Sequence, residues 1–240
     1  MIIDINAQLG QPWGSNVSQS ADELLERMDR AGIDRAIVST FPFGNYDNDY
    51  VRDAVRAHPD RLSGAVMMSP FAEEPIAETA ARYLDDEGFV AVRMHPAAGG
   101  YKLSEHAVVG GILREALSRA VPVIVYTGDE PYATPFQVMI AAQKYPELNF
   151  IMLHSGFMVQ TNDAVMVAEA CPNVYLEHSS GISLGITQSI EAVGAERVLF
   201  GSDSPYMDLE VERYKFEITV PNPADLELIF HTNPVRLFRL

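Results

Sequence analysis

The chain has 240 residues, and 48% of them are hydrophobic, which is enough for one large core. Its 17 basic and 33 acidic side chains give a formal charge of −16, and such a surface repels nucleic acids and anionic membranes. A single cysteine excludes an internal disulfide, the first residues show no signal-peptide pattern, and no apolar run reaches the ~20 residues of a membrane span. We therefore expect a cytoplasmic protein whose partner is a small molecule, not nucleic acid or a membrane. Assembly of identical chains is left open.

Eight short apolar segments recur along the chain and predict strands at 2–6, 35–39, 62–68, 89–95, 122–126, 149–154, 173–177 and 198–200. Helical patterns between and after them predict helices at about 20–31, 47–58, within 70–87, 105–119, 135–144, up to 171, 189–193, 210–216 and 224–230, with a closing turn at 233–234. Ser18 or Ser20 is the expected cap of the first helix, and Gly32 ends it. The regular alternation predicts an α/β protein, a (β/α)8 TIM barrel that forms a single domain over residues 1–240.

The segment 197–206, RVLFGSDSPY, ends the last predicted strand with an acid. Asp203 comes just after the strand's carboxyl end, where parallel barrels place their chemistry. A loop aspartate that caps the next helix is the alternative interpretation.

Other predicted strands also end in polar side chains, whereas their middles are aliphatic. The set comprises Asn6 and Gln8 on strand one, Arg93 and His95 on strand four, and Tyr126, His154, Glu177, His178 and Asp203 on the last four strands. Alternation places Asp4 on the same face as Asn6 and Gln8, opposite Ile3 and Ile5. A polar pocket at the barrel mouth follows from this convergence. The alternative is a self-satisfied hydrogen-bond network that only stabilises the barrel.

Eight stretches together resemble the amidohydrolase superfamily: MIID, ADELLERMDRAGIDRAIVS, VRMHP, VPVIVYTGDEPYATP, FIMLHSGF, NVYLEHSSG, RVLFGSDSPY and NPVRLFRL. The resemblance is to the amidohydrolase 2 group, which is related to aminocarboxymuconate semialdehyde decarboxylase and pyrone dicarboxylate lactonase. It covers nearly the full length. It implies a slightly distorted barrel with its site at the carboxyl ends of the strands.

The family's metal-binding pattern is broken in this chain. Where the family has His-x-His on strand one, residues 6–8 are Asn-Ala-Gln, and the family's His-Thr-Gly after strand five is Tyr-Thr-Gly at 126–128. His154, Asp203 and the His95 of His-Pro are retained. Because amides are poor ligands for zinc, we expect an enzyme without a tightly bound metal. The alternative is one divalent ion such as zinc on His154, Asp203 and His95.

The predicted function is hydrolysis of a lactone or amide, or decarboxylation, of a small carboxylated or carbonyl compound. Asp203 and His154 are the candidate catalytic residues, for proton transfer or for stabilising an oxyanion. The candidate substrate contacts are Arg93, His95, Tyr126, Asn6, Gln8 and His178. A metal-dependent enzyme with a reduced ligand set and a barrel that only binds a small molecule are the alternatives.

Two of these predictions leave alternatives open, and a set of loop aromatics is a candidate for the pocket lining. Arg93 either holds an anionic group or forms an ion pair with Asp4 or Glu177. His178 either faces the mouth or packs behind strand seven. Loop aromatics could form an apolar wall of the pocket: Trp13, Phe41, Phe43, Tyr132 and Tyr206.

Overall fold

The computed structural model describes residues 1–12, 14, 16–44, 46–85 and 88–240. Eight parallel strands lie side by side in chain order. They are β1 (Ile3–Leu9), β2 (Arg35–Thr40), β3 (Leu62–Met67), β4 (Phe89–Met94), β5 (Val123–Tyr126), β6 (Phe150–Leu153), β7 (Val174–Glu177) and β8 (Val198–Leu199). The predicted (β/α)8 barrel is confirmed.

Helices alternate with these strands and surround them. They are α1 (Ala21–Ala31), α2 (Asn48–Ala57), α3 (Ile76–Leu84), α4 (Pro96–Gly99), α5 (His106–Ser118), α6 (Pro135–Lys144), α7 (Thr161–Ala170), α8 (Ser183–Val193), α9 (Leu209–Thr219), α10 (Pro223–Glu227) and α11 (Asn233–Phe238). Two predicted segments were too short. Helix α8 begins six residues before the predicted 189–193 segment, and the predicted closing turn at 233–234 is the start of helix α11. No helix in the described ranges is long and apolar enough to cross a membrane.

Irregular backbone after β8 closes the barrel, because β8 itself has only two residues. The Ile5 amide donates to the Phe200 carbonyl at 3.1 Å, the Asp203 amide to the Asn6 carbonyl at 2.8 Å, and the Gln8 amide to the Ser204 carbonyl at 2.9 Å. This distortion of the closing strand places Asp203 at the junction of the first and last strands.

The side chains of β1 change sides at a bulge between Asp4 and Ala7. Ile3 and Ile5 belong to the inner cluster that fills the barrel, whereas Ala7 and Leu9 pack in the outer layer between strands and helices. Strict alternation along β1, and with it a shared face for Asp4, Asn6 and Gln8, was therefore wrong. The extra residue of a bulge reverses the faces beyond it.

Asp4 uses its position in the bulge to hold the segment after β8. Its Oδ1 accepts from the Ser202 amide at 2.9 Å, and its Oδ2 accepts from the Ser202 hydroxyl at 2.5 Å. Asp4 is fully buried and has a structural role in this closure.

Ser20 is the cap of α1. Its hydroxyl accepts from the Glu23 amide at 3.2 Å, and the Glu23 carboxylate accepts from the Ser20 amide at 2.8 Å, which completes a capping box. Ser20→Ala should therefore lower the free energy of unfolding by about 1 kcal/mol in urea titration. Ser18→Ala, at an exposed position outside the helix, is the matched control and should have no measurable effect. Equal losses in the two variants would contradict the assignment of the cap.

Candidate active site

A cavity of about 370 Å³ opens at the carboxyl ends of the strands, where barrel enzymes place their sites. Six of the eight predicted site residues line it: Gln8, Arg93, His95, Tyr126, His154 and Asp203. Its other walls come from Ala97 and Ala98 of α4 and from residues between the named helices and strands, namely Pro42, Phe43, Glu130, Phe157 and Tyr206. The strand-end pattern therefore identified most of the polar lining.

Asp203 presents its carboxylate to this cavity from a turn with φ of 57°. Side chains rarely adopt this left-handed conformation, and such residues cluster at functional sites. Gln8 donates its amide Nε2 to Oδ1 at 3.1 Å, and the Ser180 hydroxyl donates to Oδ2 at 2.9 Å. The carboxylate is thus held by two neutral donors.

His154 follows β6, also with a positive φ, of 59°, and is 2% exposed. Its Nδ1 lies 3.1 Å from the Ser179 carbonyl oxygen. The Ser179 hydroxyl, also 3.1 Å from Nδ1, donates its proton to Glu177. Because the carbonyl can only accept, Nδ1 carries the proton and Nε2 keeps its lone pair. Burial lowers the pKa of His154, although Asp203 opposes that shift, so the ring is neutral. A neutral imidazole with a free nitrogen is a suitable general base.

His95 has the opposite tautomer. Its Nδ1 accepts from the Ala98 amide at 3.1 Å, so Nε2 carries the proton. The ring stacks on Tyr126 with centroids 3.9 Å apart and an interplanar angle of 12°. Burial lowers the pKa of His95 to about 3, and the charge of Arg93 adds to this effect. The ring therefore supplies a neutral N–H donor.

Arg93 is 2% exposed and has few partners. Its Nη1 donates to the Ser39 hydroxyl at 2.9 Å, while Nε has no hydrogen-bond partner. In the described part of the chain no carboxylate lies within 4.0 Å of its guanidinium, so the predicted ion pair with Asp4 or Glu177 is not formed. Burial lowers its pKa to about 10, which leaves it charged at neutral pH. An unpaired buried cation at a cavity wall is suited to an anionic ligand.

Glu177, which the sequence suggested as a polar strand-end residue and as a possible partner of Arg93, holds His154 in place. Its Oε2 accepts from the His154 amide and from the Ser179 hydroxyl, each at 3.0 Å, and its Oε1 accepts from the Ser179 amide at 2.5 Å. Asn6 donates Nδ2 to the same Ser179 hydroxyl at 3.0 Å. Asn6 is fully buried and is not among the residues that line the cavity, but its Oδ1 has no hydrogen-bond partner among the described residues, so its contact with the substrate stays a prediction. The two serines after Glu177 and His178 were the available sequence signal.

Burial raises the pKa of Glu177 to about 8, from an ordinary value of 4.5. The folded chain therefore keeps a proton that the unfolded chain loses, and the free energy of unfolding should fall as pH rises through this window. Glu177→Gln removes that contribution. In urea titrations, the stability of the variant relative to wild type should rise from pH 5.5 to 8.5, on the order of 1 kcal/mol per pH unit. A constant difference across this range would contradict the raised pKa.

His178 lies away from the cavity, so the expected substrate contact is wrong. Its Nε2 is 2.8 Å from the Ser189 hydroxyl of α8, and the side chain is 2% exposed. It follows the last inward residue of β7, and alternation directs it to the helix layer. Burial lowers the pKa of His178 to about 3, which keeps the ring neutral.

The loop aromatics contribute unequally to the walls. Phe43 and Tyr206 line the cavity, and the buried ring of Phe41 packs edge-on against Tyr206 at 5.8 Å. Tyr132 is exposed and lies outside the lining set. Trp13 falls outside the described residues.

A protein-family model described as Amidohydrolase matches residues 5–240. The chain belongs to the amidohydrolase family. Membership makes it an enzyme of hydrolase or lyase type, in line with the resemblance seen in its motifs. In a comparison with curated protein sequences, none matches the chain.

Solved structures of similar fold cover nearly the whole chain. An uncharacterized TIM-barrel protein from Bordetella bronchiseptica has a TM-score of 0.82 and 21% identity, covering 99% of this chain and 98% of its own. 5-Carboxyvanillate decarboxylase from Novosphingobium aromaticivorans, in complex with manganese, has a TM-score of 0.81 and 16% identity over 100% of this chain and 96% of its own. A probable 2-pyrone-4,6-dicarboxylic acid hydrolase from Acinetobacter baumannii has a TM-score of 0.75 and 16% identity over 100% and 99%. These similarities support the barrel fold.

The donor atoms of this amidohydrolase do not fit the divalent ion of a metal-dependent relative. The described residues contain no group of three His, Cys, Asp or Glu side chains arranged to hold a metal. Of the three expected ligands, His95 uses its only lone pair on the Ala98 amide. Gln8 directs its amide N–H toward Asp203, whereas a metal ligand at the position of Gln8 would have to direct a lone pair there. His154 and Asp203 alone fall short of the three protein ligands usual for catalytic zinc.

Proposed function

We propose that this enzyme hydrolyses a lactone or amide bond in a small carboxylated compound, without a resident metal ion. One observation carries the proposal: the unprotonated Nε2 of His154, the carboxylate of Asp203 and the unpaired Arg93 line the same cavity. A general base, an adjacent anion and an anion-binding group are the components that this chemistry requires.

The carboxylate of the substrate would bind the Arg93 guanidinium, whose buried charge has no carboxylate within 4.0 Å among the described residues. This binding favours hydrolysis over loss of the same carboxylate. In decarboxylation the negative charge leaves the carboxylate in the transition state, so an arginine that binds it stabilises the ground state more.

His154 would take a proton from water at Nε2 as the water oxygen attacks the substrate carbonyl. The Nε2 proton of His95 would be donated to the developing oxyanion. Asp203 would stabilise the imidazolium that forms, since its charge already favours the protonated state of His154. Collapse of the tetrahedral intermediate breaks the bond to the leaving oxygen or nitrogen, and the His154 proton passes to that atom.

The test is a panel of carboxylated lactones and amides, with hydrolysis followed by mass spectrometry and with CO2 release measured in parallel. Hydrolysed product without CO2 is expected. CO2 release from a substrate whose ester or amide bond stays intact would replace hydrolysis by decarboxylation. A ligand that binds and is recovered unchanged throughout the panel would favour a binding protein.

Metal independence has its own test. Protein purified from medium supplemented with zinc or manganese should contain well below one metal ion per chain by elemental analysis, because His95 and Asp203 already face protein donors. Activity should survive dialysis against EDTA. Near one metal per chain, lost in Asp203→Asn together with activity, would establish the reduced-ligand alternative.

A further inference from the structure

Glu130, in the loop after β5, brings a carboxylate to the mouth of the cavity. Its Oε1 accepts a hydrogen bond from the Tyr126 hydroxyl at 2.9 Å. The Glu130 side chain is exposed, whereas Arg93 lies deep in the same cavity and is 2% exposed. The cation therefore lies in the buried part of the cavity and this carboxylate in its solvent-exposed part.

Gly128 allows Glu130 to fold back against Tyr126. A Cβ at position 128 would lie 2.6 Å from Glu130 Oε2, closer than real Cβ atoms approach, and 3.0 Å from the Tyr126 hydroxyl, a tight contact. The sequence YTGDE therefore combines a tyrosine, a residue without a side chain and an acid that turns back over the tyrosine. The sequence alone does not distinguish Glu130 from the other acidic residues expected in exposed loops.

At Tyr126 and Glu130 the mouth of the cavity presents hydrogen-bond acceptors. Tyr126 gives its proton to Glu130, so its oxygen and the carboxylate both present lone pairs. Together Glu130 and Asp203 outnumber the one cation that lines the cavity in the described residues, Arg93. The two lining histidines, His95 and His154, are neutral.

We propose that Glu130 is a specificity-determining residue that selects a monoanion whose far end carries a hydrogen-bond donor or a positive charge, and rejects a dianion. This rests on the proposed function only in that the ligand's anionic end binds Arg93. The far end then meets Glu130: an ammonium or hydroxyl group is bound there, and a second carboxylate is repelled.

Three rigid probes test the proposal by calorimetry, without any need for turnover: 4-(aminomethyl)benzoate, 4-(hydroxymethyl)benzoate and terephthalate. Affinity for the wild type should fall in that order, with about tenfold between the first and the last, because an exposed carboxylate contributes only modestly to each interaction. The difference should shrink as salt is raised.

Glu130→Gln should reduce the difference in affinity between the first and the last probe to within about twofold. Gly128→Ala should do the same without a change of charge, because the new Cβ displaces the carboxylate. Asp129→Asn is the matched control: it removes the same charge from the neighbouring residue, which lies outside the lining set, and should keep the wild-type order.

An unchanged order in Glu130→Gln would overturn the proposal, as would wild-type binding of terephthalate equal to that of the aminomethyl probe. Failure of all three to bind would overturn it as well, since Arg93 would then not receive the anionic end. Retained selectivity with no hydrolysis of any lactone or amide would leave this inference standing and remove the proposed function.

Discussion

His154→Asn and Asp203→Asn should each lower kcat about 10²- to 10⁴-fold, the range typical of a lost proton-transfer group. Asparagine at 154 can still donate to the Ser179 carbonyl from nearly the place of Nδ1, but it lacks the free nitrogen at Nε2. Asparagine at 203 keeps the shape of the carboxylate and removes its charge. KM should change little by comparison, since the anionic end of the substrate binds elsewhere, at Arg93. Steady-state kinetics on a substrate from the hydrolysis panel measure both parameters.

The double variant should be little slower than the slower single variant, because groups that act as a unit are not additive. His231→Gln is the control: this half-buried histidine pairs with Glu227, is not among the residues that line the cavity and should keep wild-type kinetics. Multiplicative losses in the double variant would show that His154 and Asp203 act independently.

Arg93→Met should abolish affinity for the carboxylate end of the ligand while leaving the fold as stable as, or more stable than, wild type. Removing the charged partner of a desolvated pair costs about 2 to 5 kcal/mol, so kcat/KM should fall by roughly 30- to 5,000-fold. Stability is kept because the guanidinium is a buried cation with no counter-ion within 4.0 Å in the described chain, and replacing such a charge by an apolar side chain relieves desolvation.

Thermal unfolding in the absence of ligand separates this outcome from simple structural damage. Arg93→Lys is the conservative control: it keeps the charge but loses the planar fork, so it should recover part of the affinity. A destabilised Arg93→Met variant with unchanged kcat/KM would assign the arginine to the scaffold and not to the substrate.

The sequence was most informative where a strand is regular. Alternation along β4 placed Arg93 and His95 on the inner face, with Val92 and Met94 outside, and the structure agrees. The same rule failed on β1, because a bulge reverses the faces of the strand. The amino-acid types around the bulge give no sign of it.

The chemistry of the site depends on partners distant in the chain. His154 is a candidate base because the Ser179 carbonyl fixes its tautomer, and no local pattern around residue 154 contains that information. Glu177 was missed as a positioning group for the same reason, since its contacts to the His154 amide become visible only in three dimensions. For His178 the sequence left two orientations open, and the hydrogen bond to Ser189 of α8 shows that the ring packs behind β7.

The closing segment after β8 has a consequence for how this chain could be rearranged. A circular permutant with new termini between residues 200 and 204 would cut the connection that joins the ends of the barrel and would free the residue that bears the Asp203 carboxylate. Termini opened instead in the loop between α6 and β6, away from this closing segment, would leave both intact. The same short segment closes the barrel and carries the Asp203 carboxylate. A change to its backbone therefore affects the closure and the site together.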